Sequence, residues 1–283
     1  MKSSHVKWGI GIGVAAAVAV LLDSLFLEKY FFQIKRFDIG KKNSTKKIKI
    51  LLLTDLHFVK RIHSYHEKLA RKINELHPDI ILLLGDTIDQ HGEQWPAKQF
   101  FQLVDASIPK LAILGNHDHI SKVSSDTFRG IFEQFNGHLL INETKQLTLK
   151  NVKFTITGLD DFLMGQSCFT DAVKNVGKEE HHLLLVHSPY QQEHAIRQMK
   201  NLNKEREEEN QLSIQYIFAG HNHGGQVRLG RFVPILPEGS GNYVNGWYNQ
   251  EKPFLYVSKG FGTSAVPFRF DSRSEITLFS YSV

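Results

Sequence analysis

Two imidazoles one residue apart, His221 and His223, lie in Gly220-His221-Asn222-His223-Gly224-Gly225, directly after the apolar run Ile214 to Ala219. In an extended or turning backbone alternate side chains point the same way, so both rings can aim at one small volume while Asn222 points elsewhere. The flanking glycines permit backbone angles that a Cβ would forbid. Such a loop can grip a metal at a strand end, or it can carry two solvent-facing histidines. Upstream, Asp55-Leu56-His57, Gly85-Asp86-Thr87-Ile88-Asp89, Gly115-Asn116-His117-Asp118 and Val186-His187-Ser188-Pro189 each follow an apolar run. Singly, each has an ordinary explanation: Asp55 or Asp86 could cap a helix, Asn116 could make a turn, and His187 could be structural. Together they form a set of oxygen and nitrogen donors without thiolate, which suits divalent ions such as Mn²⁺, Fe²⁺ or Zn²⁺.

The elements that must position these residues are legible as a repeating theme. Ile48–Thr54, Ile80–Leu84 and Lys110–Leu114 are short, largely apolar runs, separated by stretches long enough for helices. Arg61–Leu76, with Leu69, Ile73 and Leu76 at helical spacing, fits one crossover, and Ala97–Ala106 fits another. Strands buried on both faces and linked by helices indicate an α/β sheet, and in such sheets ligands collect at the carboxyl ends of the strands. After residue 120 strands come closer together. Lys150–Gly158, His182–His187, Ile214–Ala219, Phe254–Ser258 and Glu275–Tyr281 read as a second sheet, with helices at Thr127–Phe135 and Pro189–Met199.

With 283 residues, 41% of them hydrophobic, the chain can bury a sizeable core. The net charge of +5 is concentrated before the first core strand, at Lys29, Lys35, Arg36, Lys41, Lys42, Lys46, Lys47 and Lys49. No specific nucleic-acid partner is expected from so local an excess. Cys168 is the single cysteine, which excludes an internal disulfide and a thiolate metal cluster.

Asp55-x-His57, Gly85-Asp86, Gly115-Asn116-His117-Asp118, His187 and Gly220-His221-x-His223 together resemble the five-block pattern of the calcineurin-like metallophosphoesterases. Gly224-Gly225-Gln226-Val227-Arg228, Gly260-x-Gly262-Thr263-Ser264 and Pro267-x-Arg269 further resemble a bacterial membrane-associated branch that includes UDP-2,3-diacylglucosamine hydrolase-like members. Asn222 stands where that branch usually has Thr, Lys200–Asn210 looks like an inserted charged helix end, and Arg273-Ser274-Glu275 lacks a proline common in relatives. The resemblance implies two mixed β-sheets packed as a sandwich flanked by helices. It implies one metal on Asp55, His57 and His223, another on Asn116, His187 and His221, and Asp86 bridging both. A hydroxide shared by the ions would attack phosphodiester or pyrophosphate bonds, with His117 as proton donor to the leaving group. Nucleotide-linked and lipid-linked esters both fall within the substrates it allows, Mn²⁺ being the first choice of ion. Asp89 and Asp118 are expected to orient loops or ligand histidines, and Arg228 and Arg269 are candidates for binding substrate phosphate. The alternatives are a nuclease or nucleotidase on the same core, or a metal-binding membrane scaffold without catalysis.

The N-terminus differs in composition from the rest. Trp8 to Leu22 is uncharged and rich in Gly, Ala and Val, and follows Lys2 and Lys7. Its length lies between a signal-peptide core and a spanning helix. Residues 1–30 are therefore expected to be a membrane anchor or signal-like segment, 31–46 a basic linker, and 47–283 the catalytic domain, self-sufficient from about Lys46. The anchor would place the protein at the cell membrane, and the downstream basic residues favour a cytoplasmic domain.

Overall fold

The computed structural model describes residues 18, 21–42 and 44–283. Most of Trp8–Leu22 lies outside them, and with it the expected anchor. Among the described residues no helix is long and apolar enough to cross a membrane.

Strand β1 (Gln33–Gly40) is followed by β2 (Lys47–Leu53), β3 (Ile80–Leu84), β4 (Lys110–Ile113) and β5 (Gly137–Leu139). The last four pair in parallel, in that order. The connections carry α1 (Ser64–Leu76), α2 (Gln94–Leu103), the short α3 (Asn116–Ile120) and α4 (Ser125–Gln134). A second six-stranded sheet contains β6 (Glu143–Leu149), β7 (Val152–Gly158), β8 (His182–Leu185), β9 (Ile214–Ala219), β10 (Gly246–Tyr248) and β11 (Phe254–Val257), in the order β10-β11-β9-β8-β7-β6. Helix α5 (Gln191–Glu205) links β8 to β9. The charged stretch from Lys200 therefore begins as its last turns.

Because side chains alternate along a strand, each sheet serves two interfaces. In β2, Ile48, Ile50 and Leu52 join Phe154, Ile156, Leu183, Leu185 and Phe218 in a core shared by the sheets. Leu51 and Leu53 pack with Leu69 and Ile73 of α1 and Phe100 and Phe101 of α2. On the other side of the second sheet, Leu184, Ile217 and Val257 pack with Ala195 and Met199 of α5. Three apolar clusters between four layers give the α/β/β/α sandwich expected from sequence.

Two expectations are corrected. The C-terminal strand β12 (Glu275–Ser282) does not join the second sheet; it lies in the first, antiparallel to β2. Residues taken as a basic linker supply β1, parallel to β12 along Gln33–Gly40. Charge concealed it: Lys35, Arg36 and Asp38 break the apolar pattern, but Phe37 and Ile39 pack against the inter-sheet core and Ile34 against the helix side. An edge strand keeps one solvent flank, so it tolerates charges that a central strand would not. Strands β6 and β10 also escaped sequence reading; half-exposed residues weaken the apolar signal in both.

Candidate metal centre

The polar blocks follow the carboxyl ends of β2, β3, β4, β8 and β9. There the backbone leaves ordinary strand geometry: Asp55, His57, Asp86, His221 and His223 all have positive φ, between 47° and 72°. Non-glycine residues rarely adopt this region, and such outliers cluster at sites that something else over-determines. The glycines serve a second purpose besides angle. A Cβ on Gly115 would collide with Asp86 Oδ1, and one on Gly220 with Thr54 Oγ1 and Asp55; at these two positions glycine lets the loops close on one another.

Seven side chains converge. His57 Nε2 lies 3.1 Å from His223 Nε2, and Asp55 Oδ1 lies 3.5 Å from His223 Nε2 and 4.0 Å from His57 Nε2. In the second group His187 Nε2 is 3.2 Å from Asn116 Oδ1 and 3.2 Å from His221 Nδ1, which is itself 3.0 Å from Asn116 Oδ1. Asp86 stands between the groups. The His117 amide donates to its Oδ1 at 2.9 Å, and its Oδ2 lies 3.5 Å from His57 Nε2 and 3.3 Å from His187 Nε2.

The donor set fits cations, and hydrogen bonds on the outer ring nitrogens decide how. His187 Nδ1 donates to the Leu84 carbonyl at 2.7 Å, and His221 Nε2 to the Glu238 carbonyl at 2.6 Å. Each ring then turns its other nitrogen inward as a lone pair, toward a carboxylate and an amide oxygen that are also acceptors. Acceptors crowded this closely call for positive charge. The same demand acts on the His187 ring: burial opposes charge there, but Asp86 prevails and raises its pKa well above the ordinary value, and a cation at the inward nitrogen would take the place of that proton. Burial, followed by neighbouring cationic groups, depresses the pKa of His221 and His223, which favours the neutral form in which an imidazole can hold a metal.

His117 sits beside this cluster at the cavity. Its Nε2 is 3.1 Å from Ser264 Oγ, and its Nδ1 is 3.4 Å from Asp89 Oδ2, the oxygen that also lies 3.4 Å from His57 Nδ1. Burial disfavours charge on the ring, but the Asp89 and Asp86 carboxylates outweigh it and raise the His117 pKa. Asp89 thus contacts two site imidazoles. Asp118 instead ties the loops together, accepting from the amides of Ile88 at 2.8 Å and Gly115 at 3.0 Å. Asn222 turns away, its Oδ1 accepting from Ser240 at 2.6 Å.

Both arginines depart from expectation. Arg269 is fully buried. Its guanidinium donates to the carbonyls of Gly262, Lys259, Ser272 and His223 at 2.7–3.2 Å and contacts His223 Nδ1 at 3.0 Å. It therefore holds loops and orients a site histidine, and has no donor left for substrate. Arg228 donates to Asp271 O and Asn245 Oδ1, away from the cluster. Among residues that sequence reading missed, Ser264 had a faint signal in Gly262-Thr263-Ser264; the Glu238 carbonyl had none, because any residue supplies a carbonyl.

A cavity of about 480 Å³ opens over the cluster, lined by Asp86, Asn116, His117, His221 and His223 and by apolar residues including Val227, Ile235 and Val266.

A family model described as calcineurin-like phosphoesterase matches residues 48–225. The chain is 30% identical over 215 residues to an uncharacterised metallophosphoesterase, YkuE, of Bacillus subtilis (strain 168), spanning 74% of this chain and 69% of that protein. It is 28% identical over 246 residues to a second from the same organism, YkoQ, covering 82% and 83% of the two chains. A transmembrane protein with metallophosphoesterase domain from Bos taurus is 24% identical over 251 residues, 83% of this chain and 53% of that protein.

Proposed function

The chain belongs to the calcineurin-like phosphoesterase family, a family of metal-dependent hydrolases, and from that premise we propose that it cleaves phosphodiester or pyrophosphate bonds with two divalent cations. Asp55, His57 and His223 would hold one cation and Asn116, His187 and His221 the other, with Asp86 shared. The observation that carries this reading is Asp86 Oδ2, within 3.5 Å of a nitrogen from each histidine group. A shared carboxylate oxygen offsets the repulsion of two dications. Mn²⁺ is the ion we favour, and Fe²⁺ or Zn²⁺ meets the same donor set. Cations held there would supply charge to a bound phosphate and lower the pKa of water.

His117 is assigned to proton donation toward the leaving oxygen. Its contact with Asp89 supports this role, since a carboxylate at Nδ1 orients the ring and favours its protonated form. Its Nε2, 3.1 Å from Ser264 Oγ, borders the cavity. The apolar wall of that cavity favours lipid-linked esters over bare nucleotides, and the Trp8–Leu22 run favours attachment to the cell membrane.

Elemental analysis of the Mn²⁺-reconstituted full-length protein, paired with hydrolysis of a chromogenic phosphodiester and its matching monoester, tests the proposal. Two ions per chain and turnover of the diester that ceases on chelation are expected. Full activity with one ion, or after exhaustive chelation, would overturn it.

A further inference from the structure

Among the described residues, the three most exposed large hydrophobic side chains are Ile235, Leu229 and Phe232, at 79, 69 and 68%. They lie within seven residues of one another, with the exposed Arg231 among them. Scattered exposed hydrophobics are ordinary; several on one loop beside a binding cavity are not. Ile235 and Val266, both exposed, also line the cavity over the metal centre, so the loop forms its rim.

The rim adjoins the start of the chain through a continuous series of contacts. Gln226 Nε2 donates to the carbonyls of Ser264 and Val266 at 2.7 and 2.9 Å. The Arg228 amide donates to Phe270 O at 3.1 Å, and the Gly230 amide to Asp271 Oδ2 at 2.7 Å. On its other side the 267–274 segment holds the helical stretch Asp23–Leu27 and Glu28–Tyr30. The Arg269 amide donates to Ser24 O, the Ser272 amide to Glu28 Oε2 and Lys29 Nζ to Pro267 O, at 3.1–3.2 Å. The residues just before that stretch, Leu21 and Leu22, are exposed and end the uncharged run from Trp8. The most apolar part of the sequence thus leads into the segment that braces the rim.

We propose that Leu229–Ile235 is a membrane-docking loop: Leu229, Phe232 and Ile235 enter the headgroup and acyl boundary of a bilayer, Arg231 meets anionic headgroups, and the cavity mouth is held against the lipid surface. Apolar area and cationic charge on one element are the combination that binds such an interface. The docking does not depend on the metal chemistry.

The test uses full-length protein reconstituted in phosphatidylcholine–phosphatidylglycerol vesicles, in a Cys168→Ser background. A nitrobenzoxadiazole probe is attached at Phe232→Cys, or at Lys174→Cys near the β6 edge of the second sheet as reference. We expect a blue-shifted emission at position 232 that nitroxide-labelled acyl chains quench, with neither effect at 174. No quenching at 232, or a blue shift that occurs without vesicles and grows with protein concentration, would overturn the proposal; the latter would mark the loop as a contact between copies. Neither readout involves hydrolysis, so failure here is distinct from failure of the proposed activity.

Discussion

Asp86 is the residue on which the site turns, because one of its oxygens is occupied by the His117 amide and the other faces both histidine groups. Asp86→Ala removes the shared anion; at least one cation should be lost on elemental analysis and diester hydrolysis abolished. His117 differs, since its ring nitrogens face Asp89 and Ser264. His117→Ala should therefore lower kcat by roughly 10²–10⁴-fold, the usual range for general acid catalysis, with metal content unchanged. The deficit should shrink for diesters whose leaving group is already a good anion. Loss of metal in this variant would reassign His117 as a ligand. Arg269 belongs with the supports: Arg269→Met deprives the buried carbonyls of Gly262, Lys259 and Ser272 of their donor, and destabilisation on the order of 3–5 kcal/mol is expected by denaturant unfolding.

At the scale of elements, strands carry titratable groups that the active site does not use. His182 opens β8, is fully buried, and meets Thr157 Oγ1 at 2.8 Å through Nε2. Burial lowers its pKa to about 4, and lowers that of His66 in α1 to about 3. Because the unfolded chain takes up protons near pH 6.5 and the folded chain resists until lower pH, the stabilisation from keeping these rings neutral is full above 6.5. It is lost as pH falls through the folded values, on the order of 3 kcal/mol for His182 at the limit. Thermal midpoints measured in chelator should fall from pH 6.5 to 4, and His182→Gln, which has no titrating ring, should flatten part of that slope. An unchanged slope would remove His182 as a contributor.

For the whole molecule, β1 and the helical stretch before it decide where the domain begins. Phe37 packs against Trp247, Tyr256 and Phe279, at ring-centroid distances of 5.3–5.9 Å, and Phe32 against Phe261 at 5.3 Å. A chain starting at Lys46 would strip β12 of this neighbour and uncover Arg269 at Ser24 and Glu28. It should melt lower and aggregate more readily than a chain starting at Asp23; equal midpoints would show that β1 is dispensable. Full-length protein should sediment with membranes and resist carbonate extraction, and wholly soluble protein would remove the N-terminal attachment.

Sequence alone determined what depends on local order. The short, largely apolar runs of β2, β3 and β4 read as buried strands, and the donors after them were named because they sit next to those runs in the chain. Their types, oxygen and nitrogen without sulfur, already restricted the ion. Tertiary structure decided what depends on residues distant in sequence. β12 enters the first sheet because β1 and β2 both offer it a flank, a choice that its apolar residues fit in either sheet. Arg269 has the chemistry of a phosphate binder, yet its guanidinium is fully used by the His223 ring and by carbonyls from three segments. Which nitrogen His187 and His221 turn inward is set by backbone oxygens of Leu84 and Glu238. Backbone carbonyls are common to every residue, so no pattern of side chains could have announced them.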